Sequence, residues 1–261
     1  MKTKVVTILT LLIACVYVTA ATAAGGDEEV ESMVFPASYK AMSVSNGGTI
    51  SGMVKFDGAA PEMKALEITK DAQVCGKTDK HDESIVLGEG NGLQNTIVYL
   101  MDISSGADFP SDPKIKYEID QKGCQFNPHV RLLPVGKRLT MINPDRINHN
   151  VHIFSSVNTA FNKSQPGTRR KMNVKAVKKA EGPVSVKCDV HGWMKAWIAY
   201  IPHPYFAVTD ENGKYTLENV PPGTYKVGYW QEACGSNKDA PASVTVEAGG
   251  TVTQDFTLAL K

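Results

Sequence analysis

Short runs of alternating or β-branched residues recur along most of the chain, and Gly, Pro, Asn and Asp separate them. Runs such as TISGMVKF, NTIVYLMD and KAWIAYI are typical of strands, because successive side chains of a strand point to opposite faces. No long stretch repeats apolar residues at the helical spacing. About a dozen strands with tight turns predict an all-β sandwich architecture. The Asn-Gly pair of DENGKY, which lies between two such runs, predicts a hairpin.

The first residues predict export. MKTKVVTILTLLIACVYVTAATAA has two lysines, an apolar core and small residues at its end, which is the pattern of a secretory signal peptide. We expect a signal peptide over residues 1–23 and a linker over residues 24–48. Leu-Ile-Ala-Cys also resembles a bacterial lipobox, so a lipid anchor at Cys15 is the alternative. Both interpretations predict a periplasmic or otherwise exported protein, with no further apolar stretch long enough to span a bilayer.

The charge balance argues against nucleic-acid binding. The net charge is +1, and removing Lys2 and Lys4 with the leader leaves −1. A near-neutral chain lacks the positive field with which proteins attract nucleic acid. The segment RRKMNVKAVKK (residues 169–179) is locally basic, which fits either a solvated strand or a docking patch for an acidic partner.

One short segment concentrates soft metal ligands. In KCDVHGWMKAW, Cys188, His191 and Met194 follow one another at intervals of three. Thiolate and thioether ligands select copper(I), zinc or iron–sulfur clusters, and imidazole suits zinc, copper and iron. A structural zinc site would use four Cys or His ligands, and haem attachment would need Cys-x-x-Cys-His, which is absent. Copper is therefore the predicted metal.

Blue-copper sites combine two His, one Cys and a weak axial Met, so a second histidine is needed from elsewhere in the chain. The upstream segment NPDRINHNVHIF supplies His149. We therefore predict copper ligands at His149, Cys188, His191 and Met194.

The chain resembles the cupredoxin family in this region. The Asn143 segment with His149-Asn150-Val is similar to the first-histidine segment of plastocyanin and amicyanin, and Cys-x-x-His-x-x-Met is similar to the short amicyanin loop. The resemblance covers residues 113–202 and implies a Greek-key copper domain there. It implies that Cys188 binds as thiolate, that His149 is buried, and that His191 reaches the surface as the electron exit.

The neighbours of these ligands have expected roles too. Asn150 would brace the ligand loop by hydrogen bonds, and Trp193 and Trp197 would shield the axial side from water. His129 and His152 are possible extra ligands. Alternation along a regular strand puts His152 on the face opposite His149, which favours an ordinary histidine unless a bulge intervenes.

Two further segments resemble one divided module. TISGMVKFDGAAP and FAVTDENGKYTLENVPPGTYKVGYW, with the closing strands after them, are similar to the carboxypeptidase regulatory-like domain. We expect this β-sandwich to occupy residues 49–112 and 203–261, with the copper domain inserted between the two parts. Two domains in series is the alternative layout.

Four cysteines follow the leader: Cys75, Cys124, Cys188 and Cys234. An exported chain meets an oxidising compartment, where disulfides form. With Cys188 reserved for copper, one disulfide and one spare thiol is the simple outcome. We predict the pair Cys75–Cys124, although spacing alone does not determine pairing.

The favoured function is a periplasmic type 1-like copper protein that carries single electrons to and from a redox partner protein. A copper carrier or buffer without redox work is the second hypothesis. A structural or surface-binding β-sandwich protein with an accessory metal site is the third. An enzyme is not expected, because the sequence shows no His-x-His pairs of a second copper cluster and no Ser-His-Asp context.

Overall fold

The structure is a computed structural model that describes residues 31–261. The predicted signal peptide and the alternative lipid anchor at Cys15 lie outside the described residues. Within them the chain forms nineteen strands and two short helical turns, so the prediction of an all-β protein is confirmed. In the same residues no helix is long and apolar enough to cross a bilayer.

Eight strands form what we call the central sandwich. Its larger sheet has the order β6-β12-β11-β8-β9, and its smaller sheet has the order β10-β7-β5. The strands are β5 (Glu118–Asp120), β6 (Val130–Pro134), β7 (Leu139–Ile142), β8 (His149–Ile153), β9 (Phe161–Gln165), β10 (Lys171–Val174), β11 (Glu181–Lys187) and β12 (Lys195–Ile201). All eight are consecutive in the chain, so this sandwich is a contiguous unit.

Nine other strands form the flanking sandwich. One sheet has the order β13-β3-β15-β16 with β17 also on β15, and the other has β14-β2-β18 with β19 also on β2. The strands are β2 (Gly48–Phe56), β3 (Ile97–Leu100), β13 (Phe206–Val208), β14 (Lys214–Val220), β15 (Gly223–Gln231), β16 (Gly235–Ser236), β17 (Ala242–Val246), β18 (Thr251–Thr253) and β19 (Phe256–Leu258). Strands from both sides of the central sandwich therefore share these sheets.

Strand β12 connects the two sandwiches because both of its faces are apolar. Ala196, Ile198 and Tyr200 pack in the central core. The alternate residues Trp197 and Ala199 pack in a separate cluster between the sandwiches, which we call the junction. The two-residue period of a strand thus explains why KAWIAYI reads as a continuous apolar run.

Strand β3 makes the matching contribution from the flanking sandwich. Val98 packs in the flanking core, whereas Tyr99 faces the junction. There the ring of Tyr99 stacks on Phe206 with centroids 4.9 Å apart, and Trp197 meets Trp230 edge-on at 5.1 Å. Large aromatic surfaces buried in this way hold the two sandwiches together.

The remaining elements lie along the surface. They are the parallel pair β1 (Lys40–Ala41) and β4 (Ser105–Gly106), the helical turn α1 (Ala72–Cys75) and a 3₁₀ turn at Glu89–Asn91. Part of the segment expected to be a linker packs on both sandwiches. The backbone N–H of Met33 donates to the carbonyl of Gly182, and that of Val34 donates to the Tyr99 hydroxyl.

The DENGKY segment forms a turn but not the predicted hairpin. The N–H of Asp210 donates to the carbonyl of Lys214, and Gly213 adopts a positive φ of 76°. A Cβ at Gly213 would lie 2.3 Å from the carbonyl of Val54, so glycine is required there. However, β13 pairs with β3 and β14 pairs with β2. The turn therefore connects two sheets, because each strand finds a partner elsewhere in the sequence.

Candidate metal centre

The predicted ligands lie at one end of the central sandwich. His149 is the first residue of β8, and Cys188 directly follows β11. The loop from Cys188 to Met194 folds back on itself, since the N–H of Met194 donates to the carbonyl of His191 and the N–H of Cys188 donates to that of Met194. The two neighbouring strands therefore bring residues 39 positions apart in the sequence into one site.

Three of the four predicted ligands meet closely. The ligand atoms of His149, Cys188 and His191 all lie within 4.8 Å of one another. Nδ1 of His149 is 3.0 Å from Nδ1 of His191, and the sulfur of Cys188 is 3.7 Å from the same His191 nitrogen. One ion with bonds of about 2.0–2.3 Å can bridge such separations. The donor set and its spacing therefore fit a single soft or borderline metal ion.

All of these side chains are buried. The relative exposure is 0% for His149 and His191, 2% for Cys188 and 1% for Met194. Met194 packs in the same core cluster as Cys188, and its place as the fourth ligand remains a prediction. The apolar surroundings exclude water from the ligand atoms, which tunes the redox potential of a metal held there.

Carboxylates orient both imidazoles. Nε2 of His149 lies 3.1 Å from Oδ2 of Asp145, and Nε2 of His191 lies 3.0 Å from Oδ2 of Asp71. A carboxylate accepts the Nε2–H hydrogen bond and leaves Nδ1 free to bind at the centre. Each carboxylate thus orients its imidazole with Nδ1 towards the other ligand atoms.

Backbone and amide contacts fix the thiol and its loop. The N–H of Asn150 donates to the sulfur of Cys188 at 3.3 Å, and the N–H of Asp189 donates to the Asn150 side chain at 3.2 Å. Asn150 therefore makes the bracing contact expected from the sequence. Nearby, the amide of the buried Asn143 donates to the carbonyls of Ile147 and Gln165.

The electrostatic environment shifts the pKa values of the three ligand side chains in different directions. Burial alone would raise the pKa of Cys188, but hydrogen bonds with His149 and the Asn150 N–H outweigh it, so the pKa is lowered. Burial alone would lower the pKa of His149, whereas hydrogen bonds with Asp145 and Cys188 raise it. Burial lowers the pKa of His191. A thiol with a lowered pKa is more readily available as thiolate, the form that binds metals.

The prediction that His191 reaches the surface is wrong. Its imidazole is 0% exposed because the segment around α1 covers it through Asp71. A disulfide joins Cys75 at the end of α1 to Cys124, the two residues that the sequence analysis paired. Trp193 adds to the cover, since its Nε1–H donates to the carbonyl of Cys124 at 3.0 Å. We call residues 71–75 the cap.

The other histidines and Trp197 lie away from this group. His152 hydrogen-bonds Asp189 at 3.0 Å and stacks on Phe154, because alternation along β8 turns it away from His149. His129, just before β6, contacts Glu232 at 2.6 Å. Trp197 faces the junction rather than the axial side of the site. The two possible extra ligands are therefore not brought to Cys188.

The sequence did not predict roles for Asp71 and Asp145. Asp145 lies four residues before His149, so its proximity carried a local signal. Asp71 lies 120 residues before His191, and no spacing rule connects them. Only the tertiary fold brings the cap to the ligand loop.

Comparison with known families supports the flanking sandwich. Residues 202–259 match the model of the carboxypeptidase regulatory-like domain, which confirms that resemblance for this part of the chain. No curated protein matches the chain.

Several solved structures are similar to part of the chain. A copper-containing nitrite reductase from Thermus scotoductus SA-01 is 18% identical, with a TM-score of 0.30, over 39% of this chain and 25% of that one. Amicyanin from Paracoccus versutus is 14% identical, with a TM-score of 0.30, over 35% and 86%. A purple cupredoxin from Nitrosopumilus maritimus is 17% identical, with a TM-score of 0.28, over 33% and 100%. The chain spans only a quarter of the reductase.

Proposed function

We propose that this protein is an exported, mononuclear copper protein that carries single electrons between periplasmic redox partners. The observation that carries the proposal is the buried group of His149, Cys188 and His191, whose ligand atoms lie within 4.8 Å of one another. Bound copper would supply one-electron chemistry through a donor set of two imidazoles, one thiolate and the thioether of Met194. The proposal assigns no catalytic activity to the chain.

The protein's part in this function is to keep the ligands in place. Asp145 and Asp71 each fix an imidazole through Nε2, and the Asn150 N–H fixes the sulfur of Cys188. Ligand side chains that outer hydrogen bonds hold in place would move little when a bound metal gains or loses one electron. Small reorganisation favours rapid electron transfer, so the contacts around the ligands matter as much as the ligands.

The cap determines the electron route in this proposal. Because His191 is fully buried, electrons would pass through the cap or through Trp193 to reach a partner. The basic run at residues 169–179 offers a docking patch for an acidic redox protein. Export by the signal peptide, with the lipid anchor at Cys15 as the alternative, would place the protein where such partners meet it.

A periplasmic copper carrier or buffer is the second candidate, and the burial of His191 favours it. A carrier protects copper(I) from other ligands, and a fully covered imidazole serves that purpose. An electron carrier benefits instead from a short path to the surface.

Copper addition tests the proposal. Purified protein that receives Cu(II) should develop an intense sulfur-to-copper absorption band and narrow hyperfine splitting in electron paramagnetic resonance. Cys188→Ser should abolish the band, whereas Cys234→Ser, which removes the other free thiol among the described residues, should keep it. A band that survives Cys188→Ser refutes the assignment.

Voltammetry separates the two candidates. The electron carrier should give a reversible one-electron wave. Tight binding of colourless Cu(I) without such a wave would support the carrier or buffer instead. A folded protein that binds no copper would leave only a structural role.

A further inference from the structure

A cavity of about 420 Å³ lies at the junction of the two sandwiches, behind the ligand loop. Its lining includes Met194 and Lys195 from the central sandwich and Trp230 and Glu232 from the flanking sandwich. The segment from His81 to Ser84 lines it as well. Ligand sites occur preferentially in such crevices between domains.

His129 enters this cavity with one nitrogen free to bind. Its Nε2 lies 2.6 Å from Oε2 of Glu232, whose other oxygen pairs with Lys195 at 2.8 Å. The carboxylate therefore accepts the Nε2–H, and Nδ1 carries the lone pair. His129 is 7% exposed, and its Nδ1 has no hydrogen-bond partner among the described residues. Metal-binding histidines have this arrangement, with a carboxylate on the outer nitrogen.

A carboxylate and a second imidazole face the same space. Oε2 of Glu83 lies 3.7 Å from Nδ1 of His129. This distance is too long for a hydrogen bond, but two ligands at about 2.0–2.2 Å from one ion can span it. His81 lies two residues before Glu83 and lines the same cavity. Its buried Nδ1 also has no partner within the part of the chain that the structure describes.

We propose that His129, Glu83 and His81 bind a divalent ion of the zinc class at the junction. Two imidazoles, one carboxylate and an open position form the donor set of zinc sites with an exchangeable ligand. The cavity leaves room for that ligand, a water or a small anion. These nitrogen and oxygen donors differ from the sulfur donors around Cys188, so the two sites select different metals.

The site closes when the ion binds. In the described residues, the groups whose ligand atoms all lie within 4.8 Å of one another are those around Cys188 and the disulfide. An ion at His129 and Glu83 would therefore draw the His81 imidazole inward. His81 lies on an isolated bridge with Ala65, which hydrogen bonds from Leu66 to Lys80 and from Asp82 to Lys64 hold in place, so the inward movement is one of its side chain and not of its backbone.

Zinc titration of the copper-loaded protein tests this inference. Calorimetry should show one saturable equivalent of Zn(II). Glu83→Gln and His81→Ala should each weaken binding by roughly tenfold or more, because each removes a direct ligand. Glu218→Gln, on the exposed face of β14, is the matched control and should bind as the unaltered protein does. Absence of saturable binding, or equal binding by Glu83→Gln and Glu218→Gln, overturns the site.

Cobalt(II) distinguishes this site from the one at Cys188. Cobalt bound by His129, Glu83 and His81 has no sulfur ligand and should give no sulfur-to-cobalt band, whereas cobalt at Cys188 should give one. The same titration in Cys188→Ser protein makes the test independent of copper binding. A cobalt signal that Glu83→Gln leaves unchanged contradicts the proposal, whether or not the copper function holds.

Discussion

The two sandwiches bury different kinds of side chain. The flanking core is aliphatic and aromatic. Its buried Thr209 and Gln231 hydrogen-bond the backbone, because their side chains donate to the carbonyls of Leu93 at 2.7 Å and Ser84 at 2.6 Å. The central sandwich instead buries two imidazoles and a thiol at one end. A buried polar group is costly unless its hydrogen bonds are satisfied. The difference fits a scaffold role for the flanking sandwich and the proposed metal chemistry for the central one.

The cap disulfide offers the largest test of this comparison. Cys75 and Cys124 are 49 residues apart, so a double Cys75→Ala/Cys124→Ala variant should lose about 4 kcal/mol of unfolding free energy through the added freedom of the unfolded chain. Copper affinity should fall as well, since the cap would no longer hold Asp71 against His191. Urea unfolding and copper titration measure the two effects. Cys234→Ser in the flanking sandwich is the control. A similar loss of stability and copper affinity in that variant would show that the cap disulfide has no special role.

His203 tests a buried imidazole outside the site. Burial lowers its pKa from the ordinary 6.5 to about 4. The unfolded chain therefore binds more protons between these pH values, and stability falls as the pH drops from 6.5 towards 4. The shift corresponds to about 3 kcal/mol. His203→Phe, which suits the rings of Tyr39 and Phe206 around it, should flatten this part of the profile. Parallel profiles for the two proteins would show that His203 is not responsible.

Asp145→Asn tests whether polar burial in the central sandwich serves the metal. The change weakens the hold on Nε2 of His149 and should lower copper affinity by about 10- to 100-fold. Asp189→Asn is the control, because the Asp189 carboxylate contacts His152 and not a ligand, and its backbone N–H, which binds Asn150, is unchanged. Copper competition titrations give the affinities, and circular dichroism checks the fold. Equal affinities in both variants would mean that the carboxylate is not needed.

A small change in the flanking core should affect stability alone. Ile50 is 0% exposed, and Ile50→Val should cost about 1 kcal/mol. The copper absorption band should keep its position and intensity, because the flanking core does not touch the ligands. Chemical unfolding and visible spectroscopy provide the two readings. A shifted band would show that the scaffold and the site are coupled.

Local patterns predicted much of the fold and the grouping of His149, Cys188 and His191. Strand alternation indicated the sandwich, and the ligands in Cys-x-x-His-x-x-Met lie in one loop, so their spacing is itself the signal. His149 lies on β8, which pairs with the strand that leads into this loop. The cap was not predictable, because Asp71 and His191 meet through a disulfide-held segment rather than through a regular element. The error about the exposure of His191 has the same origin.

The junction shows a second limit of sequence reasoning. KAWIAYI indicated a strand, but nothing in the run identifies what packs on either of its faces. The carbonyl of His129 accepts the Trp197 N–H at 2.8 Å, and its ring contacts Glu232, which follows β15 of the flanking sandwich. A residue considered for one metal site therefore belongs to another part of the molecule.

The pairing of β2 with strands from the far end of the chain has a consequence for biogenesis. As the polypeptide emerges, β2 precedes β14, β18 and β19, and it presents an open edge until they arrive. The contiguous central strands need no such delay. We therefore expect assembly to run from the middle of the polypeptide outward, with closure of the flanking sheets as the last step in the maturation of a newly made molecule.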